Sequence, residues 1–135
     1  MTTRHTNFPN GIKTFPRDDG TIAKTANYTV LAADCVGRTV IMDSDAAATF
    51  TLPLIAGAVD GGIVTLVNNK DGQLLTVDPN ASDGINFGDQ VADGVTVVNT
   101  AATAKKGDFI KLATLTSAST YWSVVDIQGI WAVGA

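Results

Sequence analysis

One histidine, His5, and one cysteine, Cys35, are the whole supply of the two side chains that most often serve as general base and thiolate nucleophile. A nucleophile–base–carboxylate arrangement needs the base beside the nucleophile. His5 lies near the N-terminus, far from any serine elbow, and reads as an ordinary surface or interface histidine. Cys35 has no histidine in its own region and reads as a buried apolar thiol. Zinc takes about four Cys, His or carboxylate ligands, which one Cys and one His do not supply. Calcium takes oxygen ligands, and Asp43 with Asp45, or Asp83, Asn86, Asp89 and Asp93, are the oxygen-rich stretches. Neither follows the EF-hand spacing, and both read as turn-forming carboxylates. All 13 acidic residues are Asp, with no Glu, and most adjoin Gly, Asn or Ser, as turn formers do. A glycosidase pair of carboxylates is therefore not expected. Gly57-Ala-Val-Asp-Gly-Gly62 lacks the Lys-Ser/Thr of a phosphate loop. The expectation is a protein that is not an enzyme and holds no cofactor or metal.

Composition narrows the partners. The net charge is −4, which disfavours generic nucleic-acid binding, where Lys and Arg must neutralise phosphates. No stretch approaches the roughly 20 apolar residues of a membrane-spanning helix, and Met1-Thr-Thr-Arg-His-Thr-Asn-Phe-Pro9 has no apolar core of a secretory signal. With one cysteine no internal disulfide forms, which suits synthesis in a reducing cytoplasm. Charged residues make up only 16% of the chain. That scarcity suits a protein that hides part of its surface in an assembly, because interface cores are depleted in charge.

The elements that must position these residues are short. Apolar runs recur about every ten to twelve residues, each stopped by Gly, Asp or Asn. They are Tyr28–Leu31, Arg38–Met42, Thr49–Leu52, Gly62–Val67, Gln73–Val77, Val95–Val98, Asp108–Ala113 and Tyr121–Ile127. The beat predicts an all-β fold over residues 21–135, an antiparallel β-sandwich or jelly roll. Ala32–Gly37 has room for one helical turn, and nothing reaches the length of a stable helix. Asp71-Gly72 reads as a hairpin turn, since both residue types accept positive φ. Ile85-Asn-Phe87 and Gly129-Ile-Trp131 read as short extra strands, and Gly88–Gly94 as an exposed insertion. Lys111 is expected to point outward or to guard an edge strand.

Residues 1–20 differ in kind. They hold three of the nine Lys and Arg residues, two of the four prolines and the single histidine. Phe8, Ile12 and Phe15 are isolated apolar anchors without helical or strand periodicity. The stretch reads as an extended N-terminal arm that packs on its own domain, a neighbouring subunit or a larger particle.

The order Tyr28-Thr-Val-Leu-Ala-Ala-Asp-Cys-Val-Gly-Arg38, Ala48-Thr-Phe-Thr-Leu-Pro53, Val67-Asn68, Gln73-Leu-Leu-Thr-Val-Asp-Pro79, then Tyr121-Trp-Ser-Val124 through Gly129-Ile-Trp131 resembles a β-domain of tailed-bacteriophage virion proteins. Thr6-Asn-Phe-Pro-Asn-Gly-Ile12 is similar to the opening of small phage head-decoration and head-fibre proteins. Cys35-Val36, between Asp34 and Gly37, departs from that pattern, where a single small residue is usual.

The resemblance implies a short, self-contained capsid decoration (cement) protein. It would be a homotrimer on the capsid exterior, made in the bacterial host cytoplasm and bound to the major capsid protein. The arm residues expected to dock are Phe8, Pro9, Asn10, Ile12 and Phe15, and Trp131 is expected at a subunit interface. The alternative is a head- or tail-fibre module that binds host-surface glycans through loops at residues 57–61, 78–94 and 99–107.

Overall fold

The computed structural model describes residues 20–57, 61–80, 82–115 and 120–134. The expected arm, with Phe8, Pro9, Asn10, Ile12 and Phe15, lies outside the described residues.

Among the described residues twelve strands form two sheets. In chain order they are β1 (Thr21–Lys24), β2 (Tyr28–Thr29), β3 (Val36–Met42), β4 (Ala48–Thr51), β5 (Ile63–Asn68), β6 (Leu75–Asp78), β7 (Gly84–Phe87), β8 (Asp89–Val91), β9 (Val97–Asn99), β10 (Asp108–Ala113), β11 (Tyr121–Gln128) and β12 (Trp131–Val133). The larger sheet runs β1-β3-β5-β10-β11-β7-β8 and the smaller one β12-β9-β6-β4-β2. Among the described residues the only helical turns are short 3-10 segments at Ala32–Asp34 and Ile55–Gly57. The all-β sandwich expected from the beat of apolar runs is what forms.

The pairing, however, is mixed and not antiparallel throughout. From β1 to β6 the chain alternates between sheets, so each returning strand lies parallel beside the one it left behind. β1, β3 and β5 are parallel neighbours in the larger sheet, and β2, β4 and β6 in the smaller one. The connections stack in the same way: Asp43 N donates to Lys24 O, and Asn69 N to Met42 O. This half is a winding coil, each circuit adding one strand spacing of about 4.8 Å to both sheets. The second half then adds strands mostly antiparallel, except that β7 lies parallel to β11. β9 pairs β6, β10 pairs β5, β11 pairs β10 and β12 pairs β9.

Asp71-Gly72 shows why pattern alone misassigned the pairing. Gly72 has φ +72°, as a tight turn requires. Yet the strands it joins belong to different sheets, so the turn is a cross-sheet corner and not a hairpin. β1 escaped the sequence pattern because it is a short edge strand whose only ladder is parallel to β3. β8 lies within the stretch expected to be an exposed insertion.

Alternation decides what is buried. In β5, Val64, Leu66 and Asn68 face inward while Ile63, Thr65 and Val67 face out. β10 repeats the pattern with Asp108, Ile110 and Leu112 inward. Trp122, Phe50, Met42, Leu52, Ile55, Leu66 and Leu75 are the largest fully buried side chains. Lys111 points outward from the middle of the larger sheet, between β5 and β11, and not from an edge.

Candidate functional site: an open corner between the sheets

The residues singled out for chemistry are used in turns. The Asp34 carboxylate is fully buried at the 3-10 turn before β3. It accepts from Tyr28 Oη at 2.6 Å, Leu31 N at 2.9 Å and Arg38 Nη1 at 2.7 Å. Burial works against its charge, but these donors outweigh burial and hold the carboxyl below the usual range. Burial, with the Asp34 hydrogen bond, pushes the Tyr28 hydroxyl up to about 12. The Tyr28 ring meets Phe50 edge-on at 6.0 Å, and Lys24 Nζ sits 4.3 Å from its centroid. The cluster reads as a local clamp that ties β2 to the start of β3.

Cys35 is buried, and burial, then the neighbouring Asp34 charge, pushes its thiol up to about 11. A thiol held protonated is a poor nucleophile. Asp45 lies 2.8 Å and Asp43 3.6 Å from Lys70 Nζ. Asp83 is buried and accepts from Ile55 N at 2.9 Å, across from the second 3-10 turn. Among the described residues no group of three or more His, Cys, Asp or Glu side chains could hold a metal ion. His5 lies outside them. The proposed recognition stretch 78–94 contains the short strands β7 and β8 with turns between and around them, and residues 58–60 lie outside the described residues.

Trp131 is buried in the subunit's own core, and its indole N–H donates to Gln128 O at 2.9 Å. The chain on either side of it is more exposed. Of the eight large hydrophobic residues exposed among those described, four lie between 125 and 133: Val125, Ile127, Ile130 and Val133.

Strand register explains the exposure. β11 pairs with β7 along Tyr121–Ser123 and with β10 from Ser123 onward, so only Ser123 is paired on both sides. Beyond Ser123 its only ladder among the described residues is with β10, so they leave one backbone edge open. Consistent with that, Ile127 N is met by the Asp126 carboxylate at 2.9 Å. The register also shifts between Lys111 and Leu112, leaving Val125 as the extra residue of a β-bulge.

Residues directly opposite in an antiparallel pair share a face. Ile127 lies opposite Ile110, which is fully buried, yet Ile127 is 39% exposed. Val133 lies opposite Val97, also fully buried, and is 54% exposed. Both therefore occupy inner-face positions that the described residues leave partly uncovered. The sandwich is open at the corner where β11 passes through Gly129 and Ile130 into β12, the edge strand of the smaller sheet.

The sequence held a faint sign of this corner. Val124-Val125 breaks the alternation of the last long strand, as a bulge does, but nothing in the pattern shows that the following residues lack a cover.

Among the described residues no helix is long and apolar enough to cross a membrane. The class that the fold defines is a two-sheet all-β sandwich, coiled in its first half and mainly antiparallel in its second, with the β7–β11 ladder parallel. No family model matches the chain, and no curated protein matches it.

Proposed function

We propose that this protein is a virion structural component, a homotrimer that decorates the exterior of a phage capsid and binds the major capsid protein. The observation that carries the reading is the open corner. Uncovered inner-face aliphatics on a rigid β-scaffold suit burial against another protein surface and not the turnover of a small molecule. The order of short motifs from Tyr28 to Trp131, and the Asn7-Phe-Pro-Asn-Gly11 opening, supply the virion context by resemblance.

The mechanism is binding. Docking of Phe8, Pro9, Asn10, Ile12 and Phe15 on the shell ties adjacent capsid subunits together. A component that binds only the assembled state stabilises it by mass action.

Cryo-electron microscopy of phage particles carrying the protein tests this reading. Trimeric density on the capsid exterior is the expected result. Density only on the tail, with specific signals on a glycan array, would replace it with host recognition by a fibre module. Deleting residues 2–16 tests the arm. The truncated protein is expected to lose capsid binding, and undiminished binding would remove the arm from the mechanism.

A further inference from the structure

We propose that Asp93-Gly94 is a site of spontaneous aspartate isomerisation in the folded protein, and that the fold holds two sister pairs, Asp71-Gly72 and Asp83-Gly84, closed to the same reaction. The inference is independent of the virion reading.

The reaction needs only the chain and water. The Gly amide nitrogen attacks Cγ of the preceding Asp while its carboxyl is protonated. An N–Cγ bond forms, the amide proton and the carboxyl hydroxyl leave as water, and a five-membered succinimide ring results. Water then reopens the ring. Addition at Cγ restores aspartate. Addition at the former backbone carbonyl leaves an isoaspartate link of unchanged mass, with the main chain now routed through Cβ and Cγ. Glycine is the favoured second residue because it has no Cβ to hinder its nitrogen and its backbone turns most freely. Both the Gly N–H and the Asp carboxyl must be free at the same moment.

The sequence has five Asp-Gly pairs. Asp19 and Asp60 lie outside the described residues, and the other three pairs differ in how they are held. At Asp71-Gly72 both ends are tied. Asp71 Oδ1 accepts from Lys106 N at 2.8 Å, and Gly72 N donates to Ala104 O at 3.1 Å. At Asp83-Gly84 both ends are tied again. The buried Asp83 carboxylate accepts from Ile55 N at 2.9 Å, and Gly84 N donates to Thr120 O at 2.9 Å. Gly84 is also packed so closely that a Cβ there would run into Val91 O and the Tyr121 ring, which leaves its nitrogen little room to swing toward Cγ.

Asp93-Gly94 is held at one end only. The pair forms the centre of a turn between β8 and β9, closed by Val95 N donating to Ala92 O at 3.0 Å. Gly94 N donates to Asp83 O at 3.0 Å. Asp93 is exposed, and among the described residues no hydrogen bond or ion pair holds its carboxyl. One backbone bond therefore has to open here, against a backbone bond and a carboxylate bond at each sister pair. A hydrogen bond to a charged group is the stronger kind, so the extra bond slows the sister pairs by about tenfold or more.

The test ages the full chain at neutral pH and body temperature, folded and in concentrated guanidinium chloride. Isoaspartate is located residue by residue by electron-transfer fragmentation, so the pairs outside the described residues do not enter the comparison. In the folded protein isoaspartate is expected at Asp93 about tenfold or more faster than at Asp71 or Asp83. In guanidinium the three are expected to draw level. Asp93→Glu keeps the charge but would need a six-membered ring, so it is expected to abolish the signal at that position and leave the sister pairs unchanged. Folded protein in which Asp71 or Asp83 isomerises as fast as Asp93 overturns the proposal. So does an Asp93 lead of the same size in guanidinium, since the order would then belong to the sequence and not to the fold. A folded Asp93 that stays unmodified while all three convert in guanidinium overturns it as well.

Discussion

Asn68 of β5 and Asn99 of β9 meet across the sandwich, Asn68 Nδ2 donating to Asn99 Oδ1 at 2.7 Å. Each belongs to a different sheet, and both are fully buried. Asn68 also donates to Gln73 O at the cross-sheet corner and accepts from Lys70 N. Asn99 donates to Asp108 Oδ2 and to Ile130 O, both at 3.0 Å. Lys105 N completes the Asp108 carboxylate. One polar chain thus fastens the two sheets, the turn before β10 and the residue beside the open corner.

Asn99→Leu is expected to destabilise the fold by about 2–4 kcal/mol, because each buried partner left without its bond costs about 1–3 kcal/mol. Urea unfolding measures it. The double variant Asn68→Leu/Asn99→Leu is expected to cost less than the sum of the two single variants, since partners removed together leave fewer orphans. Strict additivity would show that the two amides act independently.

Gly129→Ala is expected to cost at least about 2 kcal/mol. Gly129 has φ +96°, and a side chain held there costs on the order of 1–3 kcal/mol. A Cβ at this position would also run into the Asp108 carboxylate, the same group that closes the asparagine chain. Thermal unfolding checks the loss, and a neutral result would mean that the β11–β12 corner adjusts freely.

Alkaline pH is expected to weaken the fold. The folded Cys35 thiol is raised to about 11 and the Tyr28 hydroxyl to about 12. A raised pKa means that the folded state holds its proton longer than the unfolded chain does. Stability from Cys35 is therefore complete below about pH 8.5 and falls as pH rises to about 11, by on the order of 2–3 kcal/mol. Tyr28 acts in the same direction between about pH 10 and 12. Cys35→Ser removes the thiol step, so its unfolding midpoint should change less than that of the wild type between pH 8 and 11.

Acid acts through Asp34 with the opposite sign. Its carboxyl is held below the usual range, so its stabilisation is present above the unfolded value of about 3.9 and is lost as pH falls through the folded value. Asp34→Asn keeps the shape but not the charge that the Arg38 guanidinium meets at 2.7 Å. The variant is expected to be less stable at neutral pH and to lose less than the wild type between pH 5 and pH 3.

Sequence alone determined the inner and outer faces of the strands. In Ile63–Asn68 and Asp108–Ala113 every second side chain faces inward. That follows from local chemistry, because successive side chains of a strand point to opposite faces whatever it pairs with. Tertiary structure decided which strands are neighbours. A cross-sheet corner and a hairpin turn use the same residues, as Asp71-Gly72 shows, and only the whole coil makes β3 and β5 parallel. It also decided the fate of two alike aliphatics. Ile110 and Ile127 are opposite partners on one face, yet one is sealed in the core and the other is left open. No local pattern separates them, because burial depends on what lies across the sandwich, and at the corner between β11 and β12 the described residues leave Ile127 partly exposed.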